Sequence, residues 1–131
     1  MTRSFKLRDF PERVERALAP LSAFGFVVAT TERYELRCTT GWIAVVVMYD
    51  THDGRVETVV EMEVDGYLRR AGLDCLFVAA GLGPAQRVKG IARTEYALDG
   101  VLESQAQALV ALMPKLQGDE GPALAIACSG R

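Results

Sequence analysis

The chain has few of the residues from which catalytic and metal sites are usually built. Its 131 residues include a single histidine, three cysteines and one tryptophan. His52 falls in a predicted turn, where water reaches it and no third group orients it, so it is a poor general base. The cysteines are odd in number and include no CxxC pair, which gives no support for a zinc knuckle or a thioredoxin-like motif. We expect no enzyme activity, no metal and no cofactor.

The three cysteines lie far apart in the sequence, at Cys38, Cys75 and Cys128. Free cysteine usually packs as a small hydrophobic residue. We therefore expect three reduced, buried thiols. Reduced thiols favour a cytoplasmic location.

Long hydrophobic runs are also missing. The longest, residues 42–49, has 8 residues, whereas a membrane span needs about 20. Residues 1–10 are charged and contain no apolar segment, so we expect no signal peptide and no membrane association. The net charge is −2, from 15 basic and 17 acidic residues. With no basic run, nothing predicts binding to nucleic acid.

Hydrophobic residues make up 50% of the chain, enough to bury a core without disulfides or a metal. Helical periodicity predicts an N-terminal helix over 9–22 and a C-terminal helix over 93–113. Patterns typical of strands occur between them, over 26–31, 33–39, 42–50 and 55–65. We predict one α+β domain over residues 1–131. It is a four-stranded antiparallel meander with the N-terminal and C-terminal helices packed on one face.

Two stretches fit this meander less well. Residues 66–71 resemble a short helical turn closed by Gly72. In residues 73–90, Gly81, Gly83 and Pro84 predict a loop. Loops of this length are usually functional or mobile.

The hairpin over residues 42–64 joins two unlike strands. Residues 42–50 are apolar on both faces, which predicts a central strand. Trp42, at its start, is interpreted as a core residue or, if exposed, as an anchor for a partner, because tryptophan dominates binding hot spots.

The second strand of the hairpin, over 55–65, places Glu57, Glu61 and Glu63 on one face. A stripe of carboxylates can be a solvated surface partly offset by Arg37 and Arg55. It can also present acidic charge to a basic protein. Cation binding and acid–base chemistry are further alternatives. We predict that these glutamates, together with Trp42, form a partner-binding surface.

The overall pattern resembles small uncharacterised actinobacterial α+β proteins. The matching features are an opening helix that leads into residues 23–26, the hairpin over 42–64, and a last helix ending in residues 114–119. Some proteins of this look are similar to immunity proteins of polymorphic toxin systems, which block a toxin by binding it. The resemblance implies a non-catalytic binding protein and assigns no functional residue.

Three functional hypotheses follow. The first is a protein-binding module, plausibly an immunity-type inhibitor of a toxin. The second is a small-molecule-binding protein or weak enzyme, with a pocket between sheet and helices gated by residues 73–90. The third is a structural subunit, for example a homodimer, that uses the apolar strand over 42–49 as its interface.

Overall fold

The computed structural model describes residues 9–129. Helix α1 spans Phe10–Ala17, and a 3-10 turn follows at Ala19–Phe24. Five strands come next: β1 Val27–Glu32, β2 Glu35–Thr39, β3 Ile43–Asp50, β4 Arg55–Val64 and β5 Tyr67–Gly72. The remaining elements are α2 Leu73–Ala79, a 3-10 turn at Ala85–Arg87, α3 Glu95–Leu116 and α4 Gly121–Cys128.

The sheet has five strands in the order β1-β2-β3-β4-β5, and each is antiparallel to its neighbours. The α+β class and the antiparallel sheet are confirmed, but the predicted number of four strands was wrong. Strand β5 lies where residues 66–71 were predicted to form a helical turn. Asp65 and Gly66 have φ angles of 55° and 83°, the conformation that a two-residue hairpin turn requires at both central positions. The turn pairs Val64 with Tyr67.

The terminal helices differ in length from the prediction. The helix predicted over 9–22 stops at Ala17, and Pro20 lies in the 3-10 turn. Proline lacks the N–H that an α-helix needs and crowds the preceding turn. Pro114 lies inside the last turn of α3, and the helix does not end there but continues to Leu116.

The helices pack on one face of the sheet and enclose a connected hydrophobic core. Side chains from that face include Leu36, Ile43, Val45, Val60 and Met62, and α3 contributes Leu98, Leu102, Leu109 and Leu112. Each fully buried leucine contributes about 2 kcal/mol of transfer free energy. Among residues 9–129, no helix has the length and apolar character needed to cross a bilayer.

Residues 73–90 do not form one long loop. Helix α2 occupies their first part and buries Leu73, Leu76 and Phe77. The chain then runs along the start of β4, beyond the end of β5. There the Val56 N–H donates to the Gly90 carbonyl at 2.7 Å. The end of the segment is therefore anchored to the sheet.

The side chain of Gln105 from α3 links that segment to β4. Its Nε2 donates to the carbonyl oxygens of Val56 and Lys89, at 3.1 Å and 2.8 Å. Its Oε1 accepts a short hydrogen bond from the Thr58 hydroxyl. Gln105 is only 5% exposed, and these bonds offset the free energy of burying its polar amide.

Cys75 and Cys128 form a disulfide that joins α2 to the end of α4, with their Cα atoms 5.8 Å apart. The expectation of three reduced thiols was therefore wrong for this pair, and only Cys38 is free and buried. Helix α4 folds back against α2, and Ser129 forms a bridge with Ala71 at the edge of β5.

Candidate functional site

The predicted glutamates lie on the face of the sheet opposite the helices, which we call the open face. Side chains of directly paired strand residues share a face, and the register places Glu57 beside Met48 and Glu61 beside Ala44. Val46 lies between these positions on β3. It is 1% exposed but does not belong to the core beneath the helices.

Apolar residues occupy the middle of the open face. The register places Val46 between Arg37 of β2 and Val59 of β4. Ala44, Met48 and Val59 are half-buried around it. The centre of this face is therefore a small apolar floor rather than a continuous stripe of charge.

Glu61 is held in an ion-pair network at the edge of this floor. Its carboxylate accepts a hydrogen bond from Arg37 at 2.7 Å and lies 3.1 Å from Nε of Arg70. The Glu61 side chain is only 11% exposed. The hydrogen bond that Arg37 donates to Glu61 raises the pKa of Arg37 above its ordinary value. Glu61 was predicted to be an exposed contact, whereas its carboxylate is committed to two arginines of neighbouring strands.

Trp42 lies just before β3, at the end of the sheet where Glu63 of β4 pairs with Leu68 of β5. Trp42 directly precedes Ile43, which pairs with Met62, and Glu63 pairs with Leu68. Trp42 is 50% exposed and Leu68 is 67% exposed. The interpretation of Trp42 as a core residue was therefore wrong. An exposed indole, an exposed leucine and a carboxylate at the same end of the sheet have the composition of a binding hot spot.

Carboxylates also form a row across the far part of the open face. Pairing runs from Glu32 to Glu35, then to Met48, then to Glu57. Glu32 and Glu35 are direct cross-strand neighbours, an arrangement that is destabilising for like charges. Within residues 9–129 none of the three glutamates forms a salt bridge. A cation brought by a partner would relieve this repulsion.

The open face carries more negative charge than the chain as a whole. Its six carboxylates belong to Glu32, Glu35, Asp50, Glu57, Glu61 and Glu63, and its three guanidinium groups to Arg37, Arg55 and Arg70. The excess is three negative charges, against a net charge of −2 for the full sequence. The acidic character of the protein is thus concentrated on this face.

His52 lies in the exposed turn between β3 and β4, as predicted. The Asp50 carboxylate accepts hydrogen bonds from the backbone N–H groups of His52 and Asp53, at 2.9 Å and 3.2 Å. Asp50 therefore shapes the turn. In residues 9–129 no group of three or more His, Cys, Asp or Glu side chains is placed to hold a metal ion.

A groove of about 1180 Å³ lies between α1 and α3, on the outer side of the helical layer. Its floor includes Ala17, Val101 and Val110, and its rim carries Arg16 and Lys89. No strand residue lines it. The pocket predicted between sheet and helices is instead filled by the core, and residues 73–90 reach this groove only through Lys89.

The two helices beside the groove are tied together by Arg13 of α1. Its guanidinium donates to Glu95 at 2.7 Å and to Asp99 at 3.0 Å, both on α3, and to Asp9 at 3.1 Å. The Arg13 side chain is 16% exposed. These ion pairs hold α1 and α3, the two walls of the groove, against each other.

Leu68 is the member of the open face that sequence reasoning missed. It was assigned to the helical turn predicted over 66–71. The Asp65-Gly66 pair between two apolar residues was the signal that indicates a hairpin and a fifth strand.

Comparison of the chain with protein-family models, with curated proteins and with solved structures gives no match.

Proposed function

We propose that this chain is a non-catalytic protein-binding module that binds a basic surface of its partner through the open face. The observation that carries the proposal is the exposure of Trp42 and Leu68 at the end of the sheet where Glu63 pairs with Leu68, on a face that no helix of residues 9–129 packs against. Large exposed apolar side chains that sit together with charge mark interaction sites more often than bare solvated surface.

The charge on the open face supports a basic partner. Glu32, Glu35, Glu57 and Glu63 form no salt bridge within residues 9–129, so each is available to a cation from outside. Complementary charge steers the encounter and penalises wrong partners. The apolar anchor supplies the dehydrated centre, and the carboxylates surround it.

An immunity-type inhibitor is the form of this function that the resemblance implies. In that form the partner is a bacterial toxin, and the open face covers a basic surface that the toxin needs. The rigid five-stranded sheet supports this mode, because a preorganised face loses little conformational entropy on binding.

Co-expression with the product of the neighbouring gene tests the proposal. We expect the wild-type chain to co-purify with that product and to relieve its toxicity. Trp42→Ala and Glu63→Lys are expected to lose both properties. Asp119→Lys is the matched control, since it makes the same charge change at an exposed residue between α3 and α4. Equal binding by Glu63→Lys and Asp119→Lys would remove the open face from consideration.

The proposed cytoplasmic location depends on the state of the disulfide. The cytoplasm keeps thiols reduced, whereas disulfides persist in oxidising compartments. A cytoplasmic protein would therefore hold Cys75 and Cys128 as thiols. Alkylation of free thiols at cell lysis, followed by mass spectrometry, shows whether the two cysteines are thiols or a disulfide in the cell. Unmodified cysteines at both positions would place the protein in an oxidising compartment.

A second candidate function is the binding of a small apolar molecule in the groove between α1 and α3. Its volume, about 1180 Å³, lies just above the usual range of ligand sites, about 300–1,000 Å³. A thermal-shift screen against metabolites tests it, because a ligand at 100 times its Kd stabilises by about 2.7 kcal/mol. Gly100→Leu would fill the groove and abolish the shift. A screen without any shift would rule against this candidate.

A further inference from the structure

Among the residues that the structure describes, β1 is an edge strand whose outer side has no partner. In residues 9–129 it pairs only with β2. All six of its residues are exposed, and Val27 and Val28 are exposed by 67% and 42%. Its outer backbone N–H and C=O groups are therefore open to another strand.

The composition of β1 favours pairing rather than opposing it. Residues 27–31 are Val, Val, Ala, Thr and Thr, all uncharged and mostly β-branched. Natural edge strands are usually protected by lysine, proline, an inward-pointing charge or a β-bulge. Strand β1 has none of the first three, and it has one irregularity in register, between Val28 and Thr30. The only charged residue is Glu32, at the end of the strand.

The opposite edge of the sheet is protected. Strand β5 carries Arg69 and Arg70, and Ser129 forms a bridge to Ala71 on its outer side. A sheet with two free edges would assemble without limit, whereas a sheet with one free edge closes as a dimer. Within the described chain, β1 is therefore the edge at which pairing with a further strand is favoured.

We propose that β1 pairs antiparallel with β1 of a second copy of this chain about a two-fold axis, which joins two sheets into one of ten strands. The absence of charge in residues 27–31 favours a second copy as the partner, because an uncharged strand pairs with an identical uncharged strand without repulsion. The two-fold axis carries the two Glu32 side chains toward opposite ends of the new pair, so like charges do not meet.

A groove beside the edge adds apolar contact to this pairing. It has a volume of about 370 Å³, lies between the 3-10 turn and β1, and is lined by Leu18, Leu21 and Val28 among others. A strand added to β1 would close the open side of this groove. Antiparallel pairing about a two-fold axis perpendicular to the sheet brings the grooves of both copies to the same side.

This interface differs from the one predicted over residues 42–49. Strand β3 has β2 and β4 on its two sides, so its backbone is not available to a second copy. The proposal does not rest on the function proposed above. A dimer through β1 leaves Trp42 and Glu63 free to bind another protein.

Sedimentation velocity from about 5 μM to about 500 μM tests the dimer. We expect the wild-type chain to reach the mass of two chains within this range. Val27→Lys places a charge on the exposed edge and is expected to raise the dimer dissociation constant at least about tenfold. Tyr67→Lys is the matched control, since Tyr67 lies on the other edge strand with 69% exposure, and it is expected to dimerise like wild type. A wild-type monomer at the highest concentration would overturn the proposal, as would equal dissociation constants for the two variants.

Hydrogen exchange of the wild-type chain gives a readout that does not depend on folding of a variant. We expect amides of residues 27–32 to exchange more slowly at about 500 μM than at about 5 μM, while amides of β5 are unchanged. Concentration-independent exchange in β1 would contradict the proposal even if a dimer forms. Circular dichroism of Val27→Lys confirms that it folds.

Discussion

Removal of the Glu61 carboxylate is expected to weaken the fold, unlike removal of the other glutamates of β4. Glu61→Ala deletes a hydrogen bond of 2.7 Å to Arg37 and an ion pair of 3.1 Å to Arg70. A hydrogen bond to a charged group contributes about 1.5–3 kcal/mol. The two arginine side chains are 33% and 53% exposed, so water recovers part of that loss. We expect a decrease of about 2 kcal/mol in the free energy of unfolding.

Urea unfolding measures this change as a lower midpoint with an unchanged slope. Glu57→Ala is the control, because Glu57 is exposed on the same strand and forms no salt bridge within residues 9–129. It is expected to change stability by less than about 0.5 kcal/mol. A double-mutant cycle with Arg37→Ala isolates the coupling. If Glu61→Ala and Glu57→Ala were equally stable, Glu61 would be a surface residue like its neighbours and the network would contribute nothing.

Four further changes have defined outcomes. Gly100→Ala is expected to raise the free energy of unfolding by about 0.5–1 kcal/mol in thermal or urea unfolding, because Gly100 lies inside α3 and nothing lies within 4 Å of an added Cβ; a decrease would contradict that helix position. Gln105→Ala is expected to cost about 2–3 kcal/mol in urea unfolding, since it leaves a buried Thr58 hydroxyl without its acceptor; a cost under about 0.5 kcal/mol would show that water replaces it. Reduction of the disulfide, whose cysteines are 53 residues apart, is expected to lower the free energy of unfolding by about 2–4 kcal/mol. Equal urea midpoints for the oxidised and reduced protein would contradict this. Burial raises the pKa of Cys38 from 9.0 to about 11. The native chain therefore keeps a proton that the unfolded chain releases, and the free energy of unfolding is expected to fall from pH 9 to pH 11. The same fall in Cys38→Ala would assign the effect to another group.

The central hairpin was predictable because its pattern and its packing agree. Strand β4, Arg55–Val64, alternates between buried and exposed positions along most of its length, as the alternation of apolar and charged residues indicated. Strand β3, Ile43–Asp50, is central, as its two apolar faces implied. In both strands the local signal and the tertiary environment require the same arrangement.

The last part of the fold was not predictable in the same way. Helix α4, Gly121–Cys128, consists mainly of small residues and buries only part of one side, so its periodicity is weak. Its place depends on the contact with α2 and on a disulfide between residues 53 positions apart. Spacing alone cannot identify such a pair among three cysteines.

The candidate site was predicted in part. The shared face of Glu57, Glu61 and Glu63 follows from the period of a strand. The ion pairing and burial of Glu61, which Glu57 and Glu63 lack, do not follow from that period, because they depend on arginines that neighbouring strands place beside Glu61. Trp42 was ambiguous for the same reason, since its exposure is set by which residues flank the end of the sheet.

Chemical-shift mapping with the partner identified by co-expression tests the central claim most directly. The ¹⁵N-labelled chain is titrated with that partner, and shifts are followed for every amide and for the Trp42 indole. The account predicts that the largest changes cluster around Trp42, Glu63 and Leu68 on the open face. Changes confined to the groove between α1 and α3, with the open face unaffected, would contradict it.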